Sequence, residues 1–180
     1  MRRGNGGVSG FSVISRVFVV LGIALLAGCA QAPPPAPAPP MADRVVVHKS
    51  TRTLELLRDG KLLASFPVAL GRDPFGPKQQ EGDGKTPEGL YRIDYKSLQS
   101  RFTRALHVSY PDDNDRARAA AAGVEPGGAI FVHGLPNEYG PSDPPLWYRD
   151  WTDGCIAVGN IAIVKIWDTV PDSTPIEIRP

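Results

Sequence analysis

Short apolar or alternating runs, each closed by turn residues, follow one another through residues 43–180. Residues 44–49 (RVVVHK) and 53–58 (TLELLR) read as strands, and Arg58-Asp59-Gly60-Lys61 is a hairpin turn signal leading into residues 62–70 (LLASFPVAL). A loop rich in Gly, Pro and charge spans 71–87, after which residues 89–95 resume the sheet and residues 106–110 (LHVSY) add a short strand. Residues 129–132 (AIFV) form another that stops at His133-Gly134; residues 156–158 are extended, and residues 174–178 (TPIEI) alternate with period two. Two stretches carry helical signals instead. Residues 112–123 open with acids, run through alanines and close on Gly; residues 161–170 follow Asn160 as a cap and put Ile163, Ile166, Trp167 and Val170 on one face. About seven strands and two short helices predict a mainly β domain, antiparallel-rich, with a sandwich-like or barrel-like core.

One connection does not fit this grammar. Residues 134–151 are too long and too broken by Pro and Gly for an ordinary link in a compact domain, and loops of that length are functional lids or disorder. Tyr139, Trp147, Tyr148 and Trp151 argue against disorder. The loop joins a histidine at a strand end to a cysteine after a glycine, in Thr152-Asp153-Gly154-Cys155. A thiol attacks as thiolate, so a nucleophilic cysteine needs a neighbour that takes its proton, and an imidazole does this near neutral pH. His133 is the partner for Cys155, and the turn at Gly154 lets the N–H groups of Gly154 and Cys155 converge on an oxyanion. From the cysteine alone, a small core residue and a reactive thiol are equally good readings. His48 and His107 lie on strands and read as face residues without a catalytic role.

The first 28 residues change the picture of where the chain works. They hold Arg2, Arg3 and Arg16 with no acid, then an apolar run over 17–26, then small residues, the pattern of a secretory signal. The run is shorter than the ~20 residues a permanent span needs. Leu26-Ala27-Gly28-Cys29 resembles a bacterial lipobox, which implies a lipid on Cys29, a membrane contact through that lipid, and a chain facing the periplasm; Ala30 after it favours the outer membrane. Residues 31–40 are almost all Pro and Ala, a stiff extended spacer of on the order of 30 Å at about 3.1 Å per residue. The expected organisation is therefore a signal over 1–28, a lipidated cysteine and tether over 29–42, and one domain over 43–180. Of 20 Lys+Arg, three leave with the signal; the remaining 17 against 19 Asp+Glu give about −2, with no basic stripe for nucleic acid. No close-spaced ligand pair accompanies His133 or Cys155, so neither metal nor cofactor is expected.

His133-Gly134, a variable loop, and Thr152-Asp153-Gly154-Cys155-Ile156 together resemble the L,D-transpeptidase catalytic domain family (YkuD-type). The likeness extends over roughly residues 43–180, taking in the segment from Asp83 to Gly89 and the closing Thr174-Pro175-Ile176-Glu177-Ile178. It implies a β fold, Cys155 as nucleophile, His133 as base, and acyl transfer on peptidoglycan stem peptides by a monomer. Carbapenem-type inhibitors would then acylate Cys155. Water in place of an amine would make the same protein an L,D-carboxypeptidase or amide hydrolase, and loss of chemistry would leave a peptidoglycan-binding lipoprotein. Ala157 stands where the family has an arginine, so Gly134, Arg149, Trp151, Thr152 and Asp153 are the expected substrate-binding set. Thr152 either bonds within the site or caps the turn. Asp153 orients His133 or stabilises that turn.

Overall fold

A computed structural model describes residues 39–140 and 149–180. The expected signal, Cys29, most of the tether, and Trp147 and Tyr148 lie outside the described residues. Eight strands and two helices follow in the order β1 (Arg44–His48), β2 (Thr53–Arg58), β3 (Lys61–Pro67), β4 (Gly89–Ser97), β5 (Ala105–Val108), α1 (Asp113–Ala122), β6 (Phe131–His133), β7 (Ile156–Ala157), α2 (Asn160–Thr169) and β8 (Pro175–Arg179).

Alternation decides what is buried. Leu54 and Leu56 of β2 and Ile176 and Ile178 of β8 point into one core, shared with Val45, Val47, Leu106, Val132 and Ile156. Removing any one of these branched side chains costs roughly 2–5 kcal/mol for the larger ones, because the surrounding packing closes the gap only in part. The strands form one curled sheet in the order β3-β2-β1-β8-β4-β5-β6-β7. Most neighbours are antiparallel; β1 with β8 and β6 with β7 are parallel. The sheet also meets itself. Beyond β3 the chain runs to Ala69, whose N–H and C=O bond the C=O and N–H of Ala157 in β7, each at 2.8 Å. The chain just beyond β3 is thereby tied to β7 next to the cysteine, which covers part of the β7 edge. This is the mainly β, barrel-like architecture expected.

Local differences have local causes. The first helix carries the caps its sequence announces: Asp112 and Asp115 bond each other's backbone N–H, and Gly123 closes it in the left-handed region. The second begins one residue earlier than expected, with Gly159 as its cap. Asn160 does not cap it. Its Oδ1 accepts from Leu135 N–H at 2.8 Å and its Nδ2 donates to the carbonyls of Tyr139 and Gly140, so it holds the loop after His133 against the helix. Ile163, Ile166 and Val170 reach the core as expected, while Trp167 packs at its margin beneath Lys96 and Arg104.

Candidate active site

Three neighbouring strands, β5, β6 and β7, build one functional face. Ala105 lies opposite His133, and His133 opposite Ala157; His107 lies opposite Phe131. The ladder pairs Val132 with Ile156, so the next step back sets Phe131 beside Cys155. Val132 and Ile156 point into the core. Their neighbours in the pleat, His133, Phe131, Cys155 and Ala157, therefore point out of the opposite face. His133 and Cys155 are diagonal neighbours on adjacent strands, one strand across and two residues along, about 8 Å between Cα atoms at ordinary strand spacing.

The imidazole is held on three sides. Nδ1 donates to the carbonyl of Gly134 at 2.7 Å. Since a carbonyl only accepts, the proton of the neutral ring sits on Nδ1 and Nε2 keeps its lone pair. Phe102 stacks on the ring with centroids 3.8 Å apart, and Trp151 meets it edge-on at 5.8 Å. Gly134 can only be glycine here, because a Cβ would lie 2.8 Å from both Asn160 Oδ1 and Ile163 Cγ2.

The cysteine rides on a tight turn. Gly154 has φ +127°, and a Cβ there would lie 2.6 Å from the carbonyl oxygen of Lys85. Thr152 braces the turn: its hydroxyl donates to the Cys155 carbonyl at 2.7 Å and accepts from Gly154 N–H at 3.2 Å. The thiol donates to the Ala129 carbonyl at 3.6 Å and receives the Phe131 N–H.

Burial sets the resting protonation. His133 is only 1 % exposed, and the loss of water lowers its pKa from 6.5 to about 4; the Gly134 carbonyl opposes this, and Arg101 adds to it. Burial likewise raises the Cys155 thiol, against smaller opposing effects of the Phe131 N–H, Arg101 and Lys78. The resting pair is neutral thiol and neutral imidazole.

The other expected residues divide. Thr152 braces the turn, and Trp151 packs on His133 with its indole N–H buried and without a hydrogen-bond partner among the described residues. Asp153 pairs with Arg72 on the surface, and the Gly134 carbonyl, not Asp153, orients His133. Of the two oxyanion donors, Gly154 N–H is already engaged by Thr152. Arg149 is exposed, and Ala157 is buried where it bonds Ala69. Arg101 and Phe102, in the loop between β4 and β5, were not anticipated. The Arg101 guanidinium lies 5.3 Å from the centre of the Phe102 ring, which itself covers His133, so a cation and the imidazole both rest against one aromatic ring. Asn137 ties this loop down, donating to the carbonyls of Arg101 and Ser100.

Fold and site together define a curled β domain with a thiol and an imidazole on one face. The chain matches the L,D-transpeptidase catalytic domain family over residues 42–178, and it belongs to that family. It is 33% identical over 96 residues to YafK of Escherichia coli K12, a candidate L,D-transpeptidase, which covers 50% of this chain and 37% of that protein. In structure it resembles the helical cell shape determining protein Pgp2 of Campylobacter jejuni (TM-score 0.59, 27% identity, 76% of this chain and 47% of that one). It also resembles Bd1075 of Bdellovibrio bacteriovorus (TM-score 0.54, 25% identity, 78% and 51%). The chain thus spans about half or less of the length of the relatives it matches.

Proposed function

We propose that the chain is an exported, lipid-anchored L,D-transpeptidase in which Cys155 transfers an acyl group of a peptidoglycan stem peptide. The observation that carries the reading is the shared face of His133 and Cys155, with Nε2 of the imidazole left as the ring's lone-pair nitrogen. Because the resting thiol is protonated, attack and proton transfer are coupled. The sulfur bonds to the substrate carbonyl carbon on the L-centre of the third stem residue as its proton passes to His133 Nε2. The oxyanion is met by Cys155 N–H, joined by Gly154 N–H when Thr152 releases it; each such donor is worth roughly 2.7–4 kcal/mol. Collapse expels terminal D-alanine, whose amine takes the proton from His133, and leaves a thioester.

Arg101 supplies the cation that Ala157 does not, and it holds a substrate carboxylate. Cys29 carries the lipid, residues 31–40 hold the domain off an outer-membrane surface, and the domain works as a monomer in the periplasm. The likeness to a cell shape determining protein supports a role in shaping the wall. Incubating the purified protein with a disaccharide tetrapeptide and weighing the products tests the reading. A crosslinked dimer is the transpeptidase result, a tripeptide indicates hydrolysis, and unchanged substrate sinks both. A carbapenem adduct on Cys155 that vanishes in Cys155→Ala separates catalysis from mere wall binding.

A further inference from the structure

A second histidine lies on the same face of the sheet as the sulfur. His107 on β5 lies in register with Phe131, which stands beside Cys155, so His107, Phe131 and Cys155 form one row across three strands. At ordinary strand spacing the two outer Cα atoms are about 10 Å apart. The His107 ring meets Phe131 edge-on at 4.8 Å and stacks on Tyr95 at 4.6 Å, 13° from parallel. Its Nδ1 bonds Asp94 Oδ1 at 2.7 Å.

That pair exists because the strand is irregular. The register of β4 against β5 shifts between Ile93 and Tyr95, so Asp94 is an extra residue that the regular pleat would not set beside His107. Bulges of this kind re-aim side chains and are over-represented next to active sites. Asp94 accepts from Nδ1–H, which fixes the tautomer and leaves Nε2 with the lone pair; among the described residues Nε2 has no hydrogen-bond partner, and the side chain stays 16 % exposed. A carboxylate behind one ring nitrogen and an unengaged lone pair on the other is the layout of a general base.

The second half-reaction gives it a task, because the acceptor must lose a proton as it attacks the thioester. Resting on the acyl-transfer reading above, we infer that the His107–Asp94 pair is the base of the second half-reaction, on the acceptor side of Cys155. His107 Nε2 takes the N–H or O–H proton of the acceptor as its nitrogen or oxygen bonds to the thioester carbonyl carbon. The C–S bond breaks, the sulfur leaves as thiolate, and the proton on His107 passes through water to the sulfur. Asp94 stabilises the imidazolium formed on the way.

The two half-reactions separate the roles. Wild type, His107→Gln and Asp94→Asn are compared for the rate of carbapenem acylation of Cys155 and for tetrapeptide turnover, with and without an added amine acceptor, all by intact-protein and product mass. For His107→Gln, acylation stays within about twofold while turnover falls about 100-fold and the tetrapeptide-derived thioester accumulates. His107→Ala recovers turnover with added imidazole, which a purely structural histidine would not do. Loss of the amine product alone places an amine acceptor there; loss of tripeptide alone places water there. Unchanged turnover, a parallel fall in acylation, or no imidazole rescue overturns the inference. Absence of any adduct in wild type removes the acyl-transfer reading and this one with it.

Discussion

The dry pocket of His133 has a consequence for stability that is measurable without any substrate. In the unfolded chain this imidazole takes up a proton near pH 6.5, whereas in the folded protein burial holds the value at about 4. Between those values the unfolded state binds the proton and the folded state does not, so the stability present above pH 6.5 is lost as pH falls toward 4. At 1.36 kcal/mol per pH unit the loss reaches about 3 kcal/mol at pH 4, a large part of a typical domain's 5–15 kcal/mol. With the ring only 1 % exposed, solvent screening takes little from this figure. Asp83, lowered by Lys78 and neighbouring N–H groups despite burial, is lost only below the usual carboxylate range and leaves this window clear. Urea unfolding at pH 7 and pH 4, followed by tryptophan fluorescence, is compared between wild type and His133→Asn, which keeps a donor for the Gly134 carbonyl. The wild-type midpoint should fall by about 1–2 M more than the variant's. Equal falls would show that the imidazole is not held dry, and the neutral resting pair would go with it.

Other expectations follow from the same geometry. Since burial raises the Cys155 thiol, its alkylation by iodoacetamide should be slow at pH 7 and still climbing above pH 9; a plateau near neutrality would mean a preformed thiolate. Phe102→Ala uncovers the imidazole, so the pH-dependent stability loss should shrink toward that of His133→Asn. Gly154→Ala forces a side chain against the Lys85 carbonyl at a left-handed φ, and should abolish carbapenem acylation while costing on the order of 1–3 kcal/mol in urea. Arg101→Ala should lower tetrapeptide kcat/KM roughly tenfold or more, the loss of one charge-assisted contact, with carbapenem acylation less affected.

Much of this was legible in the chain because it is encoded within a few residues. Alternation in TLELLR and TPIEI gave two strands their inward faces, and Asp112, Asp115 and Gly123 wrote the ends of α1. His133 and Cys155 stood out because each ends a local pattern. What stayed hidden depends on distant partners. Nothing near residues 175–179 says that β8 slots between β1 and β4. The aromatic cover of His133 comes from Phe102, in the loop between β4 and β5, and Asp153 is claimed by Arg72 far back in the chain. His107 read as a bland face residue because its partner is a bulged residue on another strand, and a one-residue slip leaves no periodic trace. The neutral resting state of the thiol and imidazole has the same origin, since burial is a property of the assembled face.

Ala42 is where the chain enters the domain, its N–H bound to the Thr169 carbonyl, and from there β1 runs between β2 and β8 with a ladder on either side. A pull on that point along the strand loads both ladders in shear, many bonds at once, instead of peeling them one by one. Resistance to such a pull is set by the unfolding rate, not by equilibrium stability. A pull delivered through Ala42 would thus be borne by β1 and both of its neighbours together.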